Sequence, residues 1–583
     1  MRVKRTMVCI FLLGAGVLPL AGRAEEAVVQ QRDYLKVQAE SMESWKDARF
    51  GMFIHWGPVS LTGGEIGWSR GGERRGQGGT GPTPVEVYDN LYKKFNPVKF
   101  DADEWVQIAR DAGMKYLVFT TKHHDGFCMF DSKLTDYKIT SPDSPYGKDV
   151  VRQLADACHK GGIKLGFYYS PPDWHHPDYR NGERHAKYIE YLHGQLRELL
   201  TGYGRVDIIF FDGLGGKAAD WDAERLIRMC RRLQPHVVIN NRSGLPADYD
   251  TPENRVGYFQ RHRPWETCAT LGTQWAWKPS DRLRSFEECM NMLITCATGD
   301  GNLLLNVGPM PDGRIEPQQA DRLREMGKWL KQYGESIYAT RGGPFRAPDE
   351  KRRGQPGYYE GFELAGGRWW GGSTHRGNMI YLHILRWPSD IITLPPIPHK
   401  IVKHAVLTGG IATVKQTEQG IEVHVPGEER DPLDTIVKLE LDGLASDITP
   451  RSVGSGSLTL GKKATASNVY EKQPQHAPDM AVDEDSSTRW ATDAGTHQAW
   501  LEVDLGEPTT FNRVAIEEAY ERRVQKFELQ YRDGPTWKTV LSGTTIGRDY
   551  SKTFPPVTAR HVRLDILEAN EGPTIWEFQL FKP

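Results

Sequence analysis

The sequence predicts a multidomain protein built as a (β/α)8-like barrel followed by two β-sandwich domains. From about Asp33 to Ala339, apolar runs of strand length alternate with amphipathic stretches of helical period, as in repeated strand–helix units around a parallel sheet. After Tyr338 that period stops, and short alternating strands separated by Pro and Gly turns take over. At 583 residues the chain is also too long for one core.

The N-terminus has a basic start (Arg2, Lys4, Arg5), an apolar run from Met7 to Leu20 and small residues at Gly22 and Ala24. This reads as a secretion signal over residues 1–24, so the mature protein is expected to be exported, periplasmic or extracellular, with no membrane insertion. The barrel is expected over residues 25–341. Its strands are Phe50 to Trp56, Tyr116 to Thr121, Lys164 to Tyr169, Val206 to Phe211, His236 to Asn240 and Asn302 to Val307. Ala102 to Ala112, Val150 to Lys160 and Asp222 to Leu233 carry the helical period. Gly71 to Pro84, rich in Gly and Arg, is a long loop after the first strand, and such loops on barrels are functional or mobile. A β-sandwich is expected over residues 342–450, a flexible linker over 451–457 and a second independent β-sandwich over 458–583.

Lys plus Arg (74) nearly balances Asp plus Glu (76), which excludes a field that would draw nucleic acid or an anionic membrane. Partners are better sought among neutral ligands, and the 17 Trp and 23 Tyr offer faces for sugar rings as well as core. Cys9 leaves with the signal. The six remaining cysteines form no CxxC pair, so neither a zinc ribbon nor a dense disulfide framework is indicated and buried free thiols are expected.

The strand VDIIFFDG organises the barrel. It is apolar on both faces and ends on Asp212, where parallel barrels place their reactive groups; capping of the next turn is the other role open to such an Asp. Other expected strand ends carry His55 and Trp56, then His123 and His124, then Tyr169, Trp174, His175 and His176, then Arg242, Glu253 and Glu266. Their convergence on one rim would give the donors, aromatic faces and carboxylates of a sugar pocket. The same histidines with Asp212 could be offered to a metal, but adjacent histidines point apart and no HExxH spacing occurs.

The motifs FGMFIHWG, KYLVFTTKHHDGFCMFDS, FYYSPPDWHHPDY, VDIIFFDG, TPE, PWETC and GNLLLNVGP together resemble glycoside hydrolase family 29, the α-L-fucosidases, over about Trp45 to Gly313. The resemblance implies exo-acting, retaining hydrolysis of terminal α-L-fucose from oligosaccharides or glycoproteins, with no cofactor for catalysis. It implies Asp212 as nucleophile, Glu253 as general acid/base with Glu266 as second choice, and His55, Trp68, His123, His124, Tyr169 and Arg242 as fucose contacts. Glu65 stands two residues before Gly67, where many relatives carry a Glu directly before the tryptophan. GGEIGWSR together with TPE resembles the subfamily that prefers α-1,3/1,4 linkages; broad specificity and a non-catalytic fucose-binding lectin are the competing readings. Phe53 and Phe210 are candidates for an apolar wall against the fucose methyl group.

The terminal motifs KKATASNVY, AVDEDSSTRWAT, AWLEVDLGE, FNRVAIEE, VQKFELQYRDG, ARHVRLDI and WEFQLF resemble the discoidin-like (F5/8 type C) fold in the form of carbohydrate-binding module family 32. That resemblance implies a structural calcium held by Asp483, Asp485, Thr488 and Glu577, oxygen donors that suit a hard cation.

Overall fold

Seven parallel strands build the first sheet: β1 (Phe50–Ile54), β2 (Tyr116–Lys122), β3 (Lys164–Tyr169), β4 (Ile208–Phe211), β5 (Val238–Ile239), β6 (Glu266–Thr270) and β7 (Asn302–Val307). They run in the order β5-β4-β3-β2-β1-β7-β6. Parallel bridges Asn240–Tyr249 and Asp250–Trp265 place the segment around Tyr249 between β5 and β6, where an eighth stave belongs. The computed structural model describes residues 33–257, 259–346, 370–387, 390–453, 456–484, 488–520, 522–547 and 550–582. The expected secretion signal lies outside the described residues, and none of the described helices is long and apolar enough to cross a membrane.

Strand alternation divides the barrel into two cores. Phe53, Tyr116, Val118, Tyr168, Ile208, Phe210, Cys268 and Leu304 point inward and pack on one another. Met52, Leu117, Phe119, Phe167, Tyr169, Ile209 and Phe211 point outward, beneath the helices. Both faces of each strand are therefore buried, which is why these strands read as continuous apolar runs. After α1 (Ala39–Ala48), the covering helices are α2 (Ala102–Asp111), α3 (Val150–Gly161), α4 (His185–Gly202), α5 (Ala223–Leu233), α6 (Phe286–Thr298) and α7 (Pro317–Tyr333). Their starts are marked by caps: Asp101 accepts from Glu104 N, Asp149 from Arg152 N, and Ser285 forms a reciprocal box with Glu288. No α-helix lies between β5 and β6 among the described residues, and that irregular stretch carries Arg242, Thr251 and Glu253.

β6 is not among the strands expected from the sequence, in which PWE resembles a rim motif. Glu266 instead opens that strand at its amino end, fully buried, with the Tyr116 hydroxyl donating to it.

The middle domain packs a five-stranded antiparallel sheet against a three-stranded one, sharing Ile380, Leu382, Val437, Leu439, Ile392, Ile421 and Val423 as core. Arg341 already belongs to its first sheet. The expected linker also starts inside this domain: Arg451–Ser452 pairs in parallel with Phe345–Arg346, and Val453 is buried. Hydrogen bonding to Phe345–Arg346, unreadable from an RSVGSGS composition, overrides the local preference for coil. In the C-terminal domain, long antiparallel strands such as Ala499–Glu518 and Tyr550–Ala569 enclose Leu501, Val503, Val514, Phe527, Val562, Leu564 and Phe578.

Candidate active site

The carboxyl ends of the barrel strands surround a cavity of about 530 Å³, and Asp212 stands at its base. Asp212 follows β4 directly. The backbone N–H of Gly213 donates to the Arg242 carbonyl at 3.1 Å, and a Cβ on Gly213 would lie 2.3 Å from that same oxygen, so only glycine lets the two strand ends meet. The Tyr168 hydroxyl donates to Asp212 Oδ2 at 2.9 Å, Arg242 Nη1 to Oδ1 at 3.2 Å, and His124 Nε2 lies 3.4 Å from Oδ2. Burial pushes the Asp212 pKa up, but the His124 contact and the Arg242 charge outweigh it and hold the carboxyl well below its usual range. It is ionised and aimed into the cavity.

Arg242 is fixed from behind. Its Nε donates to Thr251 Oγ1 at 2.7 Å and its Nη2 to the Thr251 carbonyl at 3.1 Å. Its Nη1, already on Asp212, also meets Glu253 Oε2 at 2.9 Å. Glu253 is carried by the Thr251–Asn254 stretch, bridged in parallel to Cys268 of β6, and its side chain is 33% exposed. One guanidinium nitrogen therefore touches both carboxylates. Glu266 does not reach this group; it sits within the barrel floor, and burial raises its pKa to about 8 against the hydrogen bond from Tyr116.

The histidines divide the donor and acceptor roles. Asn306 uses its amide nitrogen on the Trp275 carbonyl at 2.7 Å, so its oxygen faces His55 Nδ1 at 2.6 Å. His55 thus donates from Nδ1 and keeps Nε2 as an acceptor, and burial pushes its pKa down to about 3. His123 stacks on Tyr168 with ring centroids 5.3 Å apart, and burial holds it neutral too. The Ser170 hydroxyl donates to the Pro172 carbonyl and faces His124 Nδ1 at 2.6 Å, which turns Nε2 toward Asp212. His123, His124 and Asp212 present ligand atoms within 4.8 Å of one another. His175 instead stacks on Tyr137, and His176 lies against Tyr191.

Tyr169 is not at the site. It faces outward and donates to Gln195 of α4 at 2.7 Å, whereas Tyr168 lines the cavity. The parity of β3 carried this signal: Tyr168 pairs with Phe210, two residues before Asp212 and on the same face, while Tyr169 pairs with outward Phe211. Trp68 lines the cavity, 5.2 Å edge-on from Trp174, with Arg74 over both rings. Phe53 and Phe210, 5.1 Å apart, form its apolar floor with Trp275 nearby. The long loop after β1 forms one wall: Gln77 lines the cavity and donates to the Leu214 carbonyl at 3.1 Å, and Arg75 holds the carbonyls of His176 and Pro177.

Glu65 has a role that the sequence does not reveal. Its carboxylate accepts from the backbone N–H groups of Ile66, Trp275 and Ala276 at 2.8 to 3.0 Å, pinning the turn that delivers Trp275. Gly67 is required beside it, because φ is +66° and a Cβ there would lie 2.8 Å from His123 Nδ1.

The family model for α-L-fucosidase matches residues 21–335. The chain belongs to the α-L-fucosidase family. A second model, the F5/8 type C domain, matches residues 463–578. Tissue α-L-fucosidase of Macaca fascicularis is 28% identical over 454 residues, 72% of this chain and 92% of the relative. Among solved structures, α-L-fucosidase isoenzyme 1 from Paenibacillus thiaminolyticus is 34% identical, with a TM-score of 0.59, over 69% of this chain and 99% of that one. The family 29 α-L-fucosidase of Bacteroides thetaiotaomicron, solved as a trapped covalent intermediate with 2-fluoro-fucosyl fluoride, is 27% identical with a TM-score of 0.60, over 70% and 97%. The protein is thus a family 29 glycoside hydrolase with α-L-fucosidase activity on fucosylated glycans, and a discoidin-like domain follows its fucosidase and middle domains.

Two outcomes are expected from this geometry. Tyr168→Phe removes a hydrogen bond to the ionised Asp212, about 1.5–3 kcal/mol, and should lower kcat/KM roughly 10- to 150-fold, while Tyr169→Phe changes it less than about twofold; equal effects in steady-state kinetics would contradict the assignment. Glu266 binds its proton more tightly folded than unfolded, so its stabilisation is complete below the ordinary value of 4.5 and is lost as pH rises toward 8. Urea unfolding from pH 5 to 8 should show a decline that Glu266→Gln flattens, and an unchanged slope in that variant would remove Glu266 as its source.

Proposed function

We propose that hydrolysis proceeds by double displacement with retention, Asp212 attacking the anomeric carbon and Glu253 acting as general acid and then base. The shared Arg242 Nη1 carries this reading. With contacts of 3.2 and 2.9 Å to that atom, the two carboxylate oxygens lie at most about 6 Å apart. Inverting enzymes separate their carboxyl groups by roughly 6.5–9.5 Å to admit a water, and retaining ones by roughly 5–5.5 Å. The covalent intermediate of the Bacteroides thetaiotaomicron enzyme supports the same chemistry. An ionised Asp212, held by Tyr168, Arg242 and His124, is the attacking group. Glu253 is partly open to water on the cavity side, as a group that gains and loses a proton each cycle must be. His55, His123 and Trp68 would position the sugar hydroxyls and ring, and Phe53 and Phe210 would face its methyl group.

The linkage reading is α-1,3/1,4-fucosyl on branched glycans. It rests on the resemblance of Gly63–Arg70 and Thr251–Glu253. Gln77, Asn254 and Arg255, which also line the cavity, provide polar groups for a second sugar.

A structural calcium in the C-terminal domain completes the proposal. Thr488 Oγ1 contacts both oxygens of Asp483 at 2.9 and 2.8 Å, and Glu577 is buried on the last strand opposite Glu517. Asp485 lies outside the described residues. These oxygen donors fit a hard cation, which would tie the early loop to the chain end.

Asp212→Gly should lose at least roughly a thousandfold in kcat, with azide restoring turnover as a fucosyl azide of inverted anomeric configuration. Glu253→Ala should be rescued with retained configuration and Glu266→Ala not at all; rescue of Glu266→Ala in place of Glu253→Ala would reverse the acid assignment. A Lewis-type trisaccharide should be cleaved in preference to an aryl fucoside, and the opposite preference would sink the linkage reading. Chelator treatment should lower the unfolding temperature of the C-terminal domain and added calcium restore it; a melting curve indifferent to both removes the ion.

A further inference from the structure

Glu253 reaches the cavity on a piece of chain that takes its order from β6. The Cys268 N–H donates to the Pro252 carbonyl at 3.0 Å and the Asn254 N–H to the Cys268 carbonyl at 2.8 Å, so Glu253 sits between two rungs of a parallel ladder. The next rung of a regular ladder would join the Thr270 N–H to the Asn254 carbonyl. Here the Asn254 side chain takes that place, its Oδ1 accepting from the Thr270 N–H at 3.1 Å. The Thr270 hydroxyl, 3.4 Å from the same oxygen, donates to the Gly272 carbonyl at 2.8 Å.

Released from the ladder, the backbone turns left-handed at Asn254, with φ +52°, and the Arg255 carbonyl is caught by Thr267 Oγ1 at 2.9 Å. Asparagine meets both demands of this turn. Its short side chain tolerates a left-handed backbone, and its Oδ1 mimics a peptide carbonyl. Glycine would meet only the first demand and alanine neither. Asn254 is exposed where it lines the cavity, so its side chain is held by this hydrogen bond and not by packing. At its other end Glu253 has the Arg242 contact at 2.9 Å and is 33% exposed, so its aim depends on where the backbone leaves β6.

We propose that Asn254 is a positioning residue for the proton transfer: standing in for its own main-chain carbonyl on β6, it ends the pairing one residue after Glu253 and fixes that carboxyl in the cavity. The inference rests on Glu253 as general acid. In that step Glu253 gives its proton to the glycosidic oxygen as the bond to the anomeric carbon breaks, and Asp212 bonds to that carbon. A displaced acid loses its advantage in proportion to how much the departing oxygen needs the proton.

The test compares kcat/KM on phenyl α-L-fucoside, whose leaving group needs protonation, with that on the dinitrophenyl fucoside, whose leaving group does not. Neither carries a second sugar, so contacts of the Asn254 amide to one do not enter. Asn254→Gly, which keeps the left-handed turn, and Asn254→Ala should each lose roughly 10- to 100-fold on the phenyl substrate and less than about threefold on the dinitrophenyl one. Asn254→Asp keeps an oxygen for the Thr270 N–H and should restore most of the lost rate. Melting curves matching the parent chain show that each variant is folded. Equal losses on the two substrates in folded variants, no loss in either, or no recovery in Asn254→Asp would overturn the proposal. Glu253→Ala separates the two readings. If it lacks the selective loss, the acid assignment fails and the role of Asn254 falls with it; if it shows the loss while Asn254→Gly and Asn254→Ala do not, Asn254 alone is removed.

Discussion

The Arg242 guanidinium is the constraint on which the site depends. A single Nη1 atom meets both Asp212 and Glu253, so it fixes their separation and keeps two neighbouring carboxylates from repelling each other apart. Its side chain is only 3% exposed, and Thr251, Cys268 and the Phe210 ring leave it no other direction. Removing a buried charge of this kind would expose its partners to an uncompensated penalty of about 3–5 kcal/mol. The barrel supplies what that geometry needs: β4 ends on Asp212, β5 leads into Arg242, and the helix-free stretch before β6 brings Glu253 back to both.

Around this pair the protein sets its histidines by hydrogen bonds that fix ring orientation. Asn306 orients His55 and Ser170 orients His124, while burial keeps His55 and His123 neutral. Glu65 acts through the Trp275 turn, and the loop after β1 closes the wall by gripping carbonyls from the loops after β3 and β4. The apolar floor of Phe53 and Phe210 beneath these polar groups is the same inward face that holds the barrel core together.

Much of this was legible in the sequence because strand ends in a parallel barrel are marked by a change from apolar to polar residues. Asp212, His55, His123, His124 and Arg242 were found that way, and all line or contact the cavity. Tyr169 was misplaced by one position because motif matching ignores parity, and one residue along a strand is the opposite face of the sheet. Glu266 looked like a rim acid because PWE gives no sign of which end of a strand it occupies. Glu65 acts through backbone groups of Trp275 and Ala276 far away in sequence, and no local pattern encodes such partners. The start of the expected linker was hidden for the same reason, since the Arg451 N–H donates to the Pro344 carbonyl, more than a hundred residues earlier.

The central claim is that Asp212 forms the bond to fucose. The most direct measurement is incubation with 2-fluoro-fucosyl fluoride followed by peptide mass spectrometry of the labelled chain. One fluorofucosyl adduct is expected on the peptide that contains Asp212, lost again as the enzyme turns over. An adduct on Glu253, or no adduct together with an inverted first product, would contradict it.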